Sequence, residues 1–297
     1  MNAMDSILVG IDGSPGSAEA LRWSVEEARL HDARVIALRC WGGRDHLSRE
    51  GWDEERAEEA LRAEAELQAL VVGAVPDDVD LVEARTIDAR PEWGLLDLGA
   101  DADLIVVGAR GTDGVRGLVV GSVSQQVVHH AHVPVAVVRH TRWPVLPRRV
   151  VAGVDGSGAS MRALDWAIEE ARRRGAELEA VHAWTDRAWS GHADQDPELT
   201  GRELLAAAIA AADTSALVQP VRQTVVRGAP GPALVDAAAG AELVVVGSRG
   251  RGGFKELLLG SVGQHVAHHA PCPAIVLRPE PARSREAADS VTAPRRS

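Results

Sequence analysis

Short apolar runs recur along this chain. Each is followed by a stretch in which apolar residues return every three or four positions. In the second half, "VVAGV" (150–154) stops at Asp155-Gly156-Ser157 and reads as a buried strand. "SMRALDWAIEEARRRG" follows, with Ala163, Leu164, Ala167, Ile168 and Ala171 at helical spacing and Gly175 as the stop. The pattern then predicts a strand at "ELEAVHAW", a helix at "LTGRELLAAAIAAADTSAL", a strand at "VRQTVV" and a short helix at "GPALVDAAAG". It closes with a strand at "ELVVVG", a helix at "SVGQHVAHHA" and a strand at "PAIVL". Apolar, β-branched strands alternating with helices imply a parallel sheet covered on both faces, and right-handed crossovers make it doubly wound.

The first half repeats this order. "ILVGIDGSPGSAEALRWSVEEAR" (7–29) matches "VVAGVDGSGASMRALDWAIEEAR" (150–172), with Asp12 on Asp155 and Trp23 on Trp166 at an offset of 143. "ADLIVVGARG" (102–111) matches "AELVVVGSRG" (241–250) at an offset of 139, so the second copy lacks four residues of a surface connection. The chain is therefore expected to hold an α/β domain at 1–140, a linker at 141–149, a second domain at 150–279 and a disordered tail at 280–297. Each domain should be a doubly wound, five-stranded parallel sheet with helices on both faces.

Ligands of such sheets bind beyond the carboxyl ends of the strands. Two glycine-rich segments start there, "GARGTDGVRGLVVGS" (108–122) and "GSRGRGGFKELLLGS" (247–261). Both read G-x-x-G, nine residues, then G-S. Gly247 and Gly250 let the chain leave the strand sharply, and Gly260 opens the first turn of the next helix to an anion. Ser261 adds a hydroxyl, and the helix dipole favours negative charge. The constellation suits a phosphate chain. It is no P-loop, because no lysine precedes Ser122 or Ser261, and Asp12 and Asp155 stand where a dinucleotide fingerprint needs glycine.

Composition narrows the field. The chain has 297 residues, 45% hydrophobic and 25% charged, with a formal net charge of −11. An acidic surface disfavours nucleic acid as a general partner. Neither a leader nor a membrane span is read from the pattern, so the expected location is cytoplasmic. Cys40 and Cys272 read as buried, reduced thiols rather than a disulfide framework. His129-His130 and His268-His269 fall in the last turns of their helices, where they favour the dipole. Neighbours at i,i+1 diverge and neither pair grips one ion, so no metal site is read. Trp23 and Trp166 read as core.

The quoted segments, with "GSVSQQVVHHAHVPVAVVR" and "GSVGQHVAHHAPCPAIVLR", resemble the universal stress protein domain over both halves. The resemblance implies ATP binding, with Mg²⁺ as a possible companion. It implies that Gly108, Gly111, Gly121 and Ser122 hold nucleotide in the first copy, and Gly247, Gly250, Gly260 and Ser261 in the second. It places Asp12 and Asp155 near adenosine or the metal-bearing phosphates, and the backbone at Cys40 and Ala183 near adenine. It also implies that the fifth strands help join domains or chains, as a homodimer or a pseudo-dimeric monomer. The expected function is an ATP-binding stress-response regulator with an unknown protein partner. The alternatives are a slow ATPase or nucleotidyl-transfer enzyme, and an interaction scaffold without nucleotide. The second loop carries Arg249, Arg251, Lys255 and Glu256, against Arg110, Asp113 and Arg116 in the first, so copy two should bind more tightly.

Overall fold

The structure is a computed structural model that describes residues 4–43, 54–111, 121–139, 148–186, 196–250 and 259–278. The linker and the tail after residue 278 fall largely outside these residues, as do Asp113, Arg116, Arg251, Lys255 and Glu256. The first half runs β1 (Ser6–Gly10), α1 (Pro15–His31), β2 (Arg34–Trp41), α2 (Glu54–Ala74), β3 (Val82–Asp88), α3 (Pro91–Leu98), β4 (Leu104–Gly108), α4 (Ser122–His130) and β5 (Val135–Val138). The second runs β6 (Arg149–Gly153), α5 (Gly158–Arg174), β7 (Glu177–Trp184), α6 (Pro197–Ala210), β8 (Arg222–Arg227), α7 (Pro230–Ala237), β9 (Leu243–Gly247), α8 (Ser261–His269) and β10 (Ala274–Leu277).

Local chemistry sets the element ends, and the copies repeat it. Ser14 and Ser157 cap α1 and α5, their hydroxyls accepting from the amides of Ser17 (3.1 Å) and Ser160 (3.2 Å). Both helices end in a left-handed residue, Asp32 at φ 57° and Gly175 at φ 59°. α6 departs furthest from the reading, stopping at Ala210 instead of near residue 217. Asp213 Oδ1 there accepts from the amide and hydroxyl of Ser215 (3.1 and 2.6 Å), a local turn that competes with the helix.

The strand order is β3-β2-β1-β4-β5-β10-β9-β6-β7-β8. Pairing is parallel within each half, and the first strand of each lies between its second and fourth. The two sheets are not separate. β5 and β10 pair antiparallel, with Ala136 opposite Ile275, and fuse them into one ten-stranded sheet. A continuous sheet would count against two independent cores, yet each half keeps the same order, so the repeat stands and the separateness does not. The physical cause is the exposed edge each half would otherwise leave unpaired. Ala136 and Ile275 are equivalent at the 139 offset, so the pseudo-two-fold axis passes through that pair.

Both faces of the sheet bury cores that cross the seam. One holds Trp23, Leu67, Trp166 and Leu205, confirming the tryptophans as core residues. The other holds Leu95, Val127, Leu234 and Val266. Across the seam, Arg139 donates to the carbonyls of Ala267 (3.1 Å) and His268 at the end of α8. Arg278 repeats this on Val128 (2.8 Å) and His129 of α4. His130 Nδ1 lies 2.9 Å from the Gln126 carbonyl, the last-turn role read from the sequence.

A polar cluster also joins α1 to α5. Arg174 donates to Glu27, to Glu170 Oε2 (3.0 Å) and to Glu242 Oε1 (3.0 Å), and His31 Nε2 lies 2.9 Å from Glu170 Oε1. All five residues are buried. Burial, reinforced by Glu170 and Glu242 and opposed by Arg174, pushes the Glu27 carboxyl up to about 8.

Candidate functional site at the strand ends

The chain leaving β6 turns at once. Asp155 Oδ1 accepts from the Ser157 amide at 2.9 Å, which closes the turn into α5. Asp12 does the same with Ser14 at 2.9 Å. The other carboxylate oxygen of each acid faces the glycine segment. A Cβ on Gly111 would stand 2.5 Å from Asp12 Oδ2, and one on Gly250 would overlap Asp155 Oδ2.

The first glycine of each segment is needed for a different approach. A Cβ on Gly108 would lie 2.7 Å from the Gly16 backbone, and one on Gly247 would lie 2.8 Å from that of Ala159. Each fourth strand thus ends in backbone contact with the start of the first helix. The hydroxyls of Ser14 and Ser157 tie the two together, donating to the carbonyls of Arg110 and Arg249 at 3.3 Å. This serine role is absent from the site read in the sequence. The "DGS" shared by both copies is the signal that would have found it.

Gly121 and Gly260 close the segments from the far side. Their amides donate to the carbonyls of Ala109 (2.8 Å) and Ser248 (2.7 Å). They are the N-cap residues of α4 and α8, and neither helix has a side-chain cap. The first amides of both helices are therefore left to other acceptors. Ser122 and Ser261 follow, both exposed. In the first half the Ser124 hydroxyl adds a bond to the Gly108 carbonyl at 2.6 Å, whereas the second half has Gly263 at that position.

In the second half these residues frame a cleft of about 100 Å³. Asp155, Ala183, Gly247 and Gly250 line it, with Pro230 and Arg249. Gly260 and Ser261 are not in its lining, although their neighbour Val262 is. His182 also lines it, with Nδ1 2.8 Å from the Val154 carbonyl, a residue the sequence reading passed over. A larger groove of about 710 Å³ lies between α3 and α4, lined by Trp93, Leu96, Ser122, Gln126 and His130. It meets the expected site only at Ser122 and lacks both the acid and the G-x-x-G glycines. The strand-end cleft is therefore the candidate site, although it is the smaller space.

The copies differ at β2 and β7. Cys40 holds the place of Ala183, half-buried, and a Cβ on Gly94 would lie 2.7 Å from its Sγ. Burial, then the nearby Glu92, pushes the Cys40 thiol up to about 12, and burial does the same to Cys272. Both cysteines are free, as expected. No helix among the described residues is long and apolar enough to cross a membrane.

Comparison with known proteins agrees with this duplication. The chain matches the universal stress protein family over residues 4–139 and again over 147–278. A universal stress protein of Mycolicibacterium smegmatis is 35% identical over 291 residues, covering 92% of this chain and 97% of that one. The universal stress protein Rv2623 of Mycobacterium tuberculosis is 33% identical over 296 residues, covering 93% and 97%. The crystal structure of a universal stress protein from Archaeoglobus fulgidus superposes with a TM-score of 0.68 at 23% identity, over 93% of this chain and 96% of that one, which establishes the shared fold. A match in each half, and relatives aligned over nearly their whole length, lead to one conclusion: this chain belongs to the universal stress protein family and carries its domain twice in tandem.

Proposed function

We propose that this protein is a nucleotide-responsive stress regulator that binds ATP at the strand ends of both halves. One observation carries the reading. In each half an aspartate at the end of the first strand faces the G-x-x-G glycine, beside a helix whose first amides have no side-chain cap. Glycines that exclude a Cβ, with helix-start amides that no N-cap side chain takes, fit a polyphosphate. Gly108, Gly111, Gly121 and Ser122 would hold it in the first half, and Gly247, Gly250, Gly260 and Ser261 in the second. Asp12 and Asp155 turn Oδ2 toward the glycine segment, so Oδ2 is the atom that would meet a ribose hydroxyl or a phosphate-bound Mg²⁺. Mg²⁺ would supply charge neutralisation of the phosphates.

The second half is the tighter site in this reading. Its glycine segment carries Arg249, Arg251, Lys255 and Glu256, more positive than Arg110, Asp113 and Arg116 in the first half, which favours phosphate. The cleft is smaller than the roughly 300 Å³ lower end of ligand pockets. A nucleotide would extend from it along the strand ends toward Gly260. We assign the halves as domains 1–140 and 150–279, in a pseudo-dimeric monomer whose β5 and β10 edges already cover each other.

The test is direct. Protein purified without added nucleotide is denatured, and what it releases is identified by mass spectrometry. Release of ATP, or of another adenine nucleotide that ATP displaces, supports the reading. A sample that releases none and shows no heat on titration with ATP and Mg²⁺ overturns it.

A further inference from the structure

Glu27 and His31 of α1 meet Glu170 of α5 in the middle of the molecule, away from both strand-end sites. Their ligand atoms all lie within 4.8 Å of one another. His31 Nε2 is 2.9 Å from Glu170 Oε1 and 3.9 Å from Glu27 Oε2. Ligands of one zinc ion, each at about 2.0–2.2 Å, stand roughly 3–4 Å apart. Glu27 Oε2 is buried and has no hydrogen-bond partner. It points at the same spot as the other two atoms. Arg174 holds the opposite oxygen of each carboxylate, Glu27 Oε1 and Glu170 Oε2, so it fixes the two acids without using the atoms that face His31.

Charge leads to the same place. Glu27, Glu170 and Glu242 are three buried carboxylates against one buried guanidinium, Arg174. Arg148 reaches Glu242 from the half-exposed rim at 3.7 Å, while Arg173 turns to Glu169 and the Leu30 carbonyl. With the acids ionised, carboxylates outnumber guanidiniums even when Arg148 is counted, and the excess buried charge must be offset by a cation or by protons.

We propose that Glu27, His31 and Glu170 form a buried divalent-cation site of the zinc class that clamps the first half to the second. Imidazole with two carboxylates suits zinc, whose charge would replace the protons that otherwise neutralise the acids. Occupancy would join the C-terminal turns of α1 and α5, so the ion acts on the relation of the two halves and not on the nucleotide cleft.

Pseudo-symmetry supplies the control. Glu27 is equivalent to Glu170, and His31 to Arg174, at the 143 offset. His31→Arg therefore places at 31 the side chain the fold already accepts at 174, and removes the nitrogen ligand. The full chain, freed of metal with a chelator, is titrated with zinc by calorimetry and melted with and without it. The parent should bind one zinc more than His31→Arg, and its Tm should rise by about 5 °C at hundredfold excess over Kd. Glu27→Gln should lose the same site. Cobalt(II) in the parent should give the visible absorption of a four-coordinate ion, which tests the site without any variant. Equal zinc uptake and equal Tm shift in parent and variants would overturn the proposal. So would a parent that binds neither ion, because protons would then neutralise the cluster.

Discussion

Asp12 and Gly111, a hundred residues apart in sequence, are in direct contact: a Cβ on the glycine would come within 2.5 Å of the carboxylate oxygen Oδ2. The second half repeats the relationship between Asp155 and Gly250. It couples the end of the first strand to the segment that follows the fourth. Replacing Gly250 with alanine should therefore push Asp155 aside and weaken ATP binding by about tenfold, roughly the loss of one charge-assisted hydrogen bond. Combining Gly250→Ala with Asp155→Ala removes the clash. Calorimetric titration should show the pair losing less than the sum of its single changes. Strict additivity would mean that the contact has no part in binding.

Gly260 lies 2.7 Å from the Ser248 carbonyl through its amide, and a Cβ there would stand 3.2 Å from that oxygen. Gly260→Val should crowd the start of α8 and cost tenfold or more in ATP affinity. Gly121→Val should cost less overall if the first half is the weaker site. Titrations with ATP and Mg²⁺ that find Gly260→Val indistinguishable from the parent would remove the phosphate-cradle argument.

At the seam, Arg139 and Arg278 each bind the last carbonyls of the other half's helix. A cation there satisfies orphan carbonyls and faces the negative end of the dipole. Arg139→Ala should lower unfolding free energy by about 1–3 kcal/mol, and Arg139→Lys by less. Urea denaturation measures both. A loss confined to a few tenths would show that the seam is held by β5–β10 pairing and apolar contact alone.

The thiols of Cys40 and Cys272 are raised to about 12 by burial. A raised thiol pKa keeps the thiolate, the reactive form, scarce at pH 8. Alkylation of the native protein should be at least tenfold slower than in denaturant. Rapid modification of Cys40 in the native state would contradict its placement against Gly94.

The local readings rest on periodicity and on turn chemistry, and both lie within a few residues of each position. The strand at 177–184 and the stop at Gly175 follow from such short-range rules, and the repeat itself equates Asp12 with Asp155. The duplicated glycine spacing also marked the candidate site, because a close backbone approach demands glycine wherever it occurs. The sequence did not show which distant surfaces meet. β5 and β10 are short apolar runs that look locally like any buried strand; the resemblance implied a join there, and folding decided that they pair edge to edge within one chain. Glu27 and Glu170 sit in "EEAR" segments that carry no local sign of burial. Tertiary packing turns those faces toward each other and buries them with His31 and Arg174. No local propensity encodes that outcome. It depends on the burial gained when two sheet edges and two helices close across the pseudo-two-fold axis, a contact between residues some 140 apart in sequence.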